Sequence, residues 1–189
     1  MKNTQLTFDM QVDQELRLYL NKSKYAAKVF KLIDSGREYL NRWLPWVSTV
    51  NVKLDTINYL NNSFEKFNRG EGFAVVILYQ GKTVGMIGLE DYDESNLCAS
   101  IGYWLGRQYQ GHGIMTRSCR AMLDYAFYEL ELNRIQIKSV LSNYRSRAIP
   151  IRLGFTLEGV FREKQRINKR FNDLAIYSML RSEWPSINI

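Results

Sequence analysis

Residues 108–116 read Gln-Tyr-Gln-Gly-His-Gly-Ile-Met-Thr, with an apolar, helix-like run behind the second glycine. The first backbone N–H groups of a helix have no intrahelical partner, and the aligned peptide dipoles add partial positive charge there. Gly111 and Gly113 strip side chains from the approach, so the amides from Gln110 through His112 to Ile114 and Met115 form a bed for an anion, a phosphate above all. His112, the only histidine, stands between the glycines and offers its backbone N–H rather than its imidazole. A mononucleotide P-loop would need lysine and Ser/Thr after the last glycine, where Ile114 and Met115 stand. A dinucleotide fingerprint would need glycine or alanine in place of Thr116 and an early crossover, whereas several strand-like segments precede this loop. What remains is Gln108-x-x-Gly111-x-Gly113, following a strand and opening a helix.

The elements that must position this loop follow from periodicity. ELRLYL (15–20) alternates as a half-buried strand. Ser23 is a plausible N-cap for a helix reaching Ile33, and a short helix is expected over Gly36 to Trp43. LNRWLPW (40–46) sets two tryptophans around Pro45, either as a core plug or as a wall of a binding site. Asp55 to Arg69 has helical spacing, with Ile57, Leu60, Phe64 and Phe67 on one side. Residues 72–93 read as a hairpin turning at Tyr79-Gln80-Gly81-Lys82. SIGYWL (100–105) is a strand that feeds the glycine loop, Met115 to Leu130 an amphipathic helix, and IQIKSVL (135–141) a strand, which together make a crossover unit. Asn143 to Leu153 is a short helix closed by Gly154, and two strands turning near Asn168-Lys169 end the pattern. The order is mixed α/β with an antiparallel majority.

The 189 residues, 46% hydrophobic, suit one domain spanning 1–189. Cys98 and Cys119 have no metal or redox spacing and are too few for a disulfide scaffold, which points to the cytoplasm and to no metal. Met1-Lys2-Asn3-Thr4 leads into no apolar signal core, and the FAVVILY run (73–79) is far short of a membrane span. A formal charge of +7 favours an anionic partner. The basic residues are dispersed and no stacking-platform motif is present, so direct nucleic-acid binding is not expected.

The Gln108-x-x-Gly111-x-Gly113 pattern resembles the Q/R-x-x-G-x-G/A pyrophosphate motif of the GNAT acetyltransferases. The IGYWL strand, Asn143-Tyr144-Arg145-Ser146-Arg147-Ala148 ahead of Leu153-Gly154-Phe155, LEGVFRE and LNRWLPW are similar to the RimJ/RimL-type ribosomal-protein N-terminal acetyltransferases within that family. The resemblance runs from about residue 15 to Trp184. It implies a GNAT fold, with a mostly antiparallel sheet of about seven strands, flanked by helices and splayed at the cofactor cleft. It implies acetyl-CoA as cofactor, a primary amine as acceptor, a ribosomal-protein N-terminus among the candidates, and admits a homodimer. The pyrophosphate would lie on the loop and the pantetheine arm along Tyr103, Trp104 and Leu105, where a bulge is expected to part the strand from its parallel neighbour. Asn143 and Ser146 would reach the ligand or simply cap their helix.

Acetyl transfer needs a neutral amine, a stabilised oxyanion and a proton for the departing thiolate. Family groups for these tasks are partly missing: Ser100 replaces a common glutamate, Gly106-Arg107 an acid, and Pro150 the thiolate-protonating tyrosine. Ser146 is the nearest substitute as proton donor. Glu90 and Asp91 are candidates for orienting the amine or taking its proton, or else form a solvated strand end. Cys119 falls on an apolar helix face and reads as core. The missing groups keep open a non-catalytic acyl-CoA-binding module, and the acceptor could equally be a small-molecule amine or antibiotic.

Overall fold

The computed structural model describes residues 8–20 and 23–184, so the Met1–Thr4 start lies outside the described residues. Thirteen regular strands and helices run in the order β1 (Asp9–Gln11), β2 (Leu16–Tyr19), α1 (Ala26–Ser35), α2 (Arg37–Leu40), α3 (Lys53–Arg69), β3 (Phe73–Tyr79), β4 (Lys82–Asp93), β5 (Cys98–Leu105), α4 (Ile114–Asp124), β6 (Arg134–Val140), α5 (Tyr144–Arg152), β7 (Thr156–Ile167) and β8 (Arg170–Leu180). The strands form one eight-stranded sheet, ordered β1-β2-β3-β4-β5-β6-β8-β7. The expected seven lack β1, whose three residues are too few to show an alternation.

Helices cover both faces of the sheet, which explains why β3 is an unbroken apolar run buried on both sides. On one face, α4 packs Ile114, Cys119 and Met122 onto Val75, Ile87 and Ile101. On the other, Val29 and Ile33 of α1 and Leu60 of α3 cover Val76 and Met86. Both long hairpins close through residues at positive φ, Gln80 and Gly81 in one and Asn168 and Lys169 in the other, the twist that two-residue hairpin turns require.

Three boundaries differ from expectation. The N-cap position of α1 is Tyr25 without a side-chain cap, and Ser23 contributes its carbonyl to the Ala26 N–H instead. The helix expected to run to Leu130 ends its regular part at Asp124 and continues as a π-turn over Tyr125–Glu129. The extra residue keeps Ala126 and Phe127 fully buried, and Trp184, itself buried, packs on Phe127 while its Nε1–H donates to Asp124 Oδ1 at 2.7 Å. Finally, the short helix after Ser35 covers only Arg37–Leu40, and Pro45 opens a 3₁₀ turn.

Candidate acetyl-transfer cleft

β5 and β6 run parallel and pair only at Cys98–Ser100 with Arg134–Gln136. Beyond Ser100 they part, while β5 stays in register with β4 from Ser100 to Leu105. The splay therefore needs no bulge in β5, contrary to expectation; the irregularity sits on β4 between Glu90 and Asp93, where Asp91 has φ 50°. Into the gap opens a cleft of about 1990 Å³ that runs from the glycine loop to Glu90 and on to Trp46 and Lys164.

At the loop end, Gly111 (φ 83°) and Gly113 (φ 69°) take left-handed backbone, and Gly113 holds the N-cap position of α4. A Cβ on either would meet open space, so the bare backbone is not demanded by crowding within the protein. Among the described residues, the N–H groups of Gly111, His112, Gly113, Ile114 and Met115 donate to no backbone carbonyl. These amides and the positive end of α4 fit a pyrophosphate. Gln110 spans the mouth, donating to the Tyr39 hydroxyl at 2.5 Å and accepting from Arg145 at 2.8 Å. Arg152 donates to Thr116 Oγ1 at 2.8 Å. The arginines add positive charge beside the loop.

Along the splay, Tyr103 reaches across to α5: its hydroxyl donates to the Ser146 carbonyl at 3.0 Å and accepts from Ser146 Oγ at 3.4 Å. Burial pushes the Tyr103 phenol far above its ordinary pKa, so it stays protonated. Asn143 caps α5, its Oδ1 accepting the Ser146 N–H at 3.3 Å, which leaves the Ser146 hydroxyl outside the capping bond. Trp104 turns to the opposite face, its ring 6.0 Å from that of Trp46. The LNRWLPW segment does both expected jobs: Leu40 is buried core, whereas Trp43, Pro45 and Trp46 line the cleft.

At the far end the Glu90 carboxylate lies over Gly102; a Cβ there would come within 2.8 Å of all three carboxyl atoms. The Glu90 side chain is exposed toward the cleft yet ringed by protein, and the partial loss of solvation, with the neighbouring Asp91 charge, raises its pKa. Asp91 behaves oppositely: the Lys138 ammonium, 2.8 Å away, holds it below the usual carboxylate range, and Ser100 Oγ donates to it at 3.2 Å. Asp91 is thus committed to Lys138 and does not line the cleft, and Asp55 on the wall is taken up by the Asn51 and Val52 N–H groups, which leaves Glu90 as the free carboxylate. Tyr59 of α3 faces the same space, and crowding plus the Glu90 charge push its phenol up to about 12.

The cleft brings together Tyr103, Trp104, Leu105, Gln110, Gly111, Gly113, Ile114, Met115, Asn143, Ser146 and Glu90. Gln108 and His112 are not on its wall. Gln108 is exposed on the 3₁₀ turn Arg107–Tyr109, and the His112 ring is tied by Nδ1–H to the Gln110 carbonyl at 2.9 Å. Cys119 is fully buried on α4, with its thiol pKa pushed up by burial. Sequence reasoning missed Tyr59, Lys138 and Lys164. Tyr59 lies off the apolar stripe that defined α3, and the other two are ordinary strand lysines until the sheet aligns them.

A splayed parallel pair with a free-amide loop at one end and a free carboxylate at the other defines an acyl-transfer cleft of the GNAT kind. The acetyltransferase (GNAT) domain model matches residues 16–156, and the chain belongs to that family of acyltransferases. It is 35% identical to YdaF of Bacillus subtilis (strain 168), across 94% of this chain and 97% of that protein. It is 26% identical to the ribosomal-protein-serine acetyltransferase of Escherichia coli (strain K12), across 93% and 98%. Among solved structures, the microcin C7 self-immunity acetyltransferase MccE, crystallised with acetyl-CoA and AMP, superposes with a TM-score of 0.86 at 30% identity over 90% of this chain and 95% of that one.

Proposed function

We propose that this protein transfers the acetyl group of acetyl-CoA to the α-amine of a protein N-terminus, a ribosomal protein being the favoured class, and that it works in the cytoplasm as one catalytic domain. The observation that carries this reading is the single cleft joining the free amides of Gly111–Met115 to the free carboxylate of Glu90. The relationship to the Escherichia coli ribosomal-protein-serine acetyltransferase supports the acceptor class, and two free cysteines with no membrane-length apolar helix among the described residues agree with the compartment. A homodimer is compatible with this reading and not required by it.

When bound, acetyl-CoA supplies an activated thioester. The loop amides and the α4 N-terminus hold its pyrophosphate, while the unpaired edge of Tyr103–Leu105 offers backbone groups to its pantetheine amides. Glu90 receives the acceptor amine and accepts its proton at a carboxylate oxygen. An α-amine titrates near 7.7 to 8.0, about two and a half pH units below a lysine side chain, so one carboxylate suffices where a lysine acceptor would need a stronger base. Ser146 holds a proton at Oγ on a long, readily exchanged hydrogen bond to Tyr103, and is the donor for the departing sulfur.

The test is acetyl-CoA binding by calorimetry, coupled to free-thiol release over short peptides, a lysine peptide blocked at its N-terminus, and polyamines. Release on free α-amino peptides is expected. Tight binding without release on any amine would replace this reading with a non-catalytic acyl-CoA module, and release only on small amines would replace the acceptor class.

A further inference from the structure

β7 is the sheet edge and its pairing with β8 breaks twice, the second time between Phe161 and Gln165. Phe161 faces Leu174 and Gln165 faces Asn172, so β7 spends four residue steps where β8 spends two. This is a bulge with two extra residues, and bulges of this sort re-aim side chains. At its centre Glu163 takes φ 52°, an unfavourable left-handed conformation for a side-chain-bearing residue, and its N–H is held by Asp173 Oδ1 at 2.8 Å. The next residue, Lys164, lines the cleft.

Of the other cations on the cleft wall, Arg117 is paired with Asp13, and Lys138 with Asp91. Arg107, Arg145 and Arg152 belong to the loop and α5, on the cofactor side. Lys164 is left as the acceptor-side cation with no carboxylate partner among the described residues. The acceptor side therefore presents a carboxylate, Glu90, for an amine and a cation, Lys164, for an anion. Glu90 and Lys164 stand on strands four places apart in the sheet, and the register that pairs Glu90 through Ser100, Gln136 and Ser178 to Thr156 sets Lys164 further along β7, so the two charges face the cleft from well-separated points.

We infer that Lys164, aimed by the β7 bulge, selects acceptor peptides carrying an acidic side chain several residues downstream of the free amine. This rests on the acetyl-transfer reading above and names its substrate class. The separation between Glu90 and Lys164 favours a peptide, since an amine and an anion must be spaced by several backbone units.

The experiment compares kcat/KM for three peptides of equal length that begin with serine and carry aspartate, alanine or lysine throughout positions three to eight, for the wild type, Lys164→Met, Lys164→Glu and Asp173→Ala. A phosphate-bearing small amine is included. The wild type should prefer the acidic over the neutral peptide by about three- to fivefold at low salt, the worth of a solvent-facing ion pair. That preference should fade in 1 M salt, where screening acts within about 3 Å. Lys164→Met should erase it, Lys164→Glu should invert it toward the lysine peptide, and Asp173→Ala should weaken it with Lys164 still present. Equal rates on all three peptides, or a preference unmoved by Lys164→Glu, would overturn the inference while leaving the acetyl-transfer reading intact. A Lys164-dependent preference for the phosphate-bearing amine over every peptide would overturn the substrate class, whereas failure to acetylate any amine would sink the reading beneath it.

Discussion

Removing the Glu90 carboxylate should leave a pH-shaped defect whose size identifies the acceptor. If Glu90 takes the proton of the bound amine, Glu90→Gln can use only acceptor that arrives neutral. With an amine pKa of about 7.8, roughly one-seventh is neutral at pH 7 and more than nine-tenths at pH 9. The variant should therefore lag the wild type about sevenfold in kcat/KM at pH 7 and nearly match it at pH 9. For a lysine side-chain acceptor the neutral fraction is about 1 in 2,500 at pH 7, and the deficit would change about a hundredfold over the same interval. The wild type, in turn, should lose activity on the acid side at a higher pH than an ordinary glutamate would give, because burial raises the Glu90 pKa. Gly102→Ala provides a second route to the same state: its Cβ would lie 2.8 Å from the Glu90 carboxyl atoms. The carboxyl is the free end of a flexible chain, so it swings away and the fold survives. Thiol-release rates from pH 6 to 9 on one α-amino peptide decide the matter. A deficit equal at pH 7 and pH 9 in Glu90→Gln, or no deficit, would refute the assignment of Glu90 as proton acceptor.

Other expectations follow from the same geometry. Gly111→Val should fold with a penalty of about 1–2 kcal/mol for the left-handed backbone, since its Cβ meets nothing within 4 Å; its acetyl-CoA affinity, by calorimetry, should fall about ten- to hundredfold, the worth of one hydrogen bond to a charged group. Ser146→Ala keeps the capping N–H and the carbonyl that Tyr103 uses, so turnover should drop about a hundredfold, the low end of proton-donor contributions, with little change in acetyl-CoA affinity. Trp184→Phe removes the donor that Asp124 Oδ1 holds at 2.7 Å and should cost about 1–3 kcal/mol, read as a lower denaturant midpoint without loss of turnover at low temperature.

The cofactor half of the cleft was legible in the sequence because its chemistry is local. The glycine loop, the strand before it and the Asn143 cap each lie within a few consecutive residues, and the proposed binding is by the backbone itself. Even there the side chains were less readable than the backbone: Gln108 and the His112 ring fall off the cleft wall, while Gln110 ties α2 to α5 through Tyr39 and Arg145. Element boundaries slipped where tertiary contacts overrode periodicity, as at the π-turn that serves Phe127 and Trp184. β1 escaped because three residues carry no period.

The acceptor half obeys a different logic. Its two free charges stand beside bulges on strands at opposite ends of a five-strand span, and each bulge has a non-glycine residue at positive φ, Asp91 at 50° and Glu163 at 52°. A glycine at either point would have marked the irregularity in the sequence. Here the left-handed turns are stabilised by partners instead: Lys138 and Ser100 grip Asp91, and Asp173 grips the Glu163 backbone. Those partners are remote in sequence and meet only once the strand order β4-β5-β6-β8-β7 is set. Gripping Asp91 consumes one carboxylate and one lysine, and Glu90 and Lys164 line the cleft with no ion-pair partner among the described residues. The same irregularities that hide this charge pattern from sequence reading thus build it, and they do so on strands that leave the glycine loop untouched.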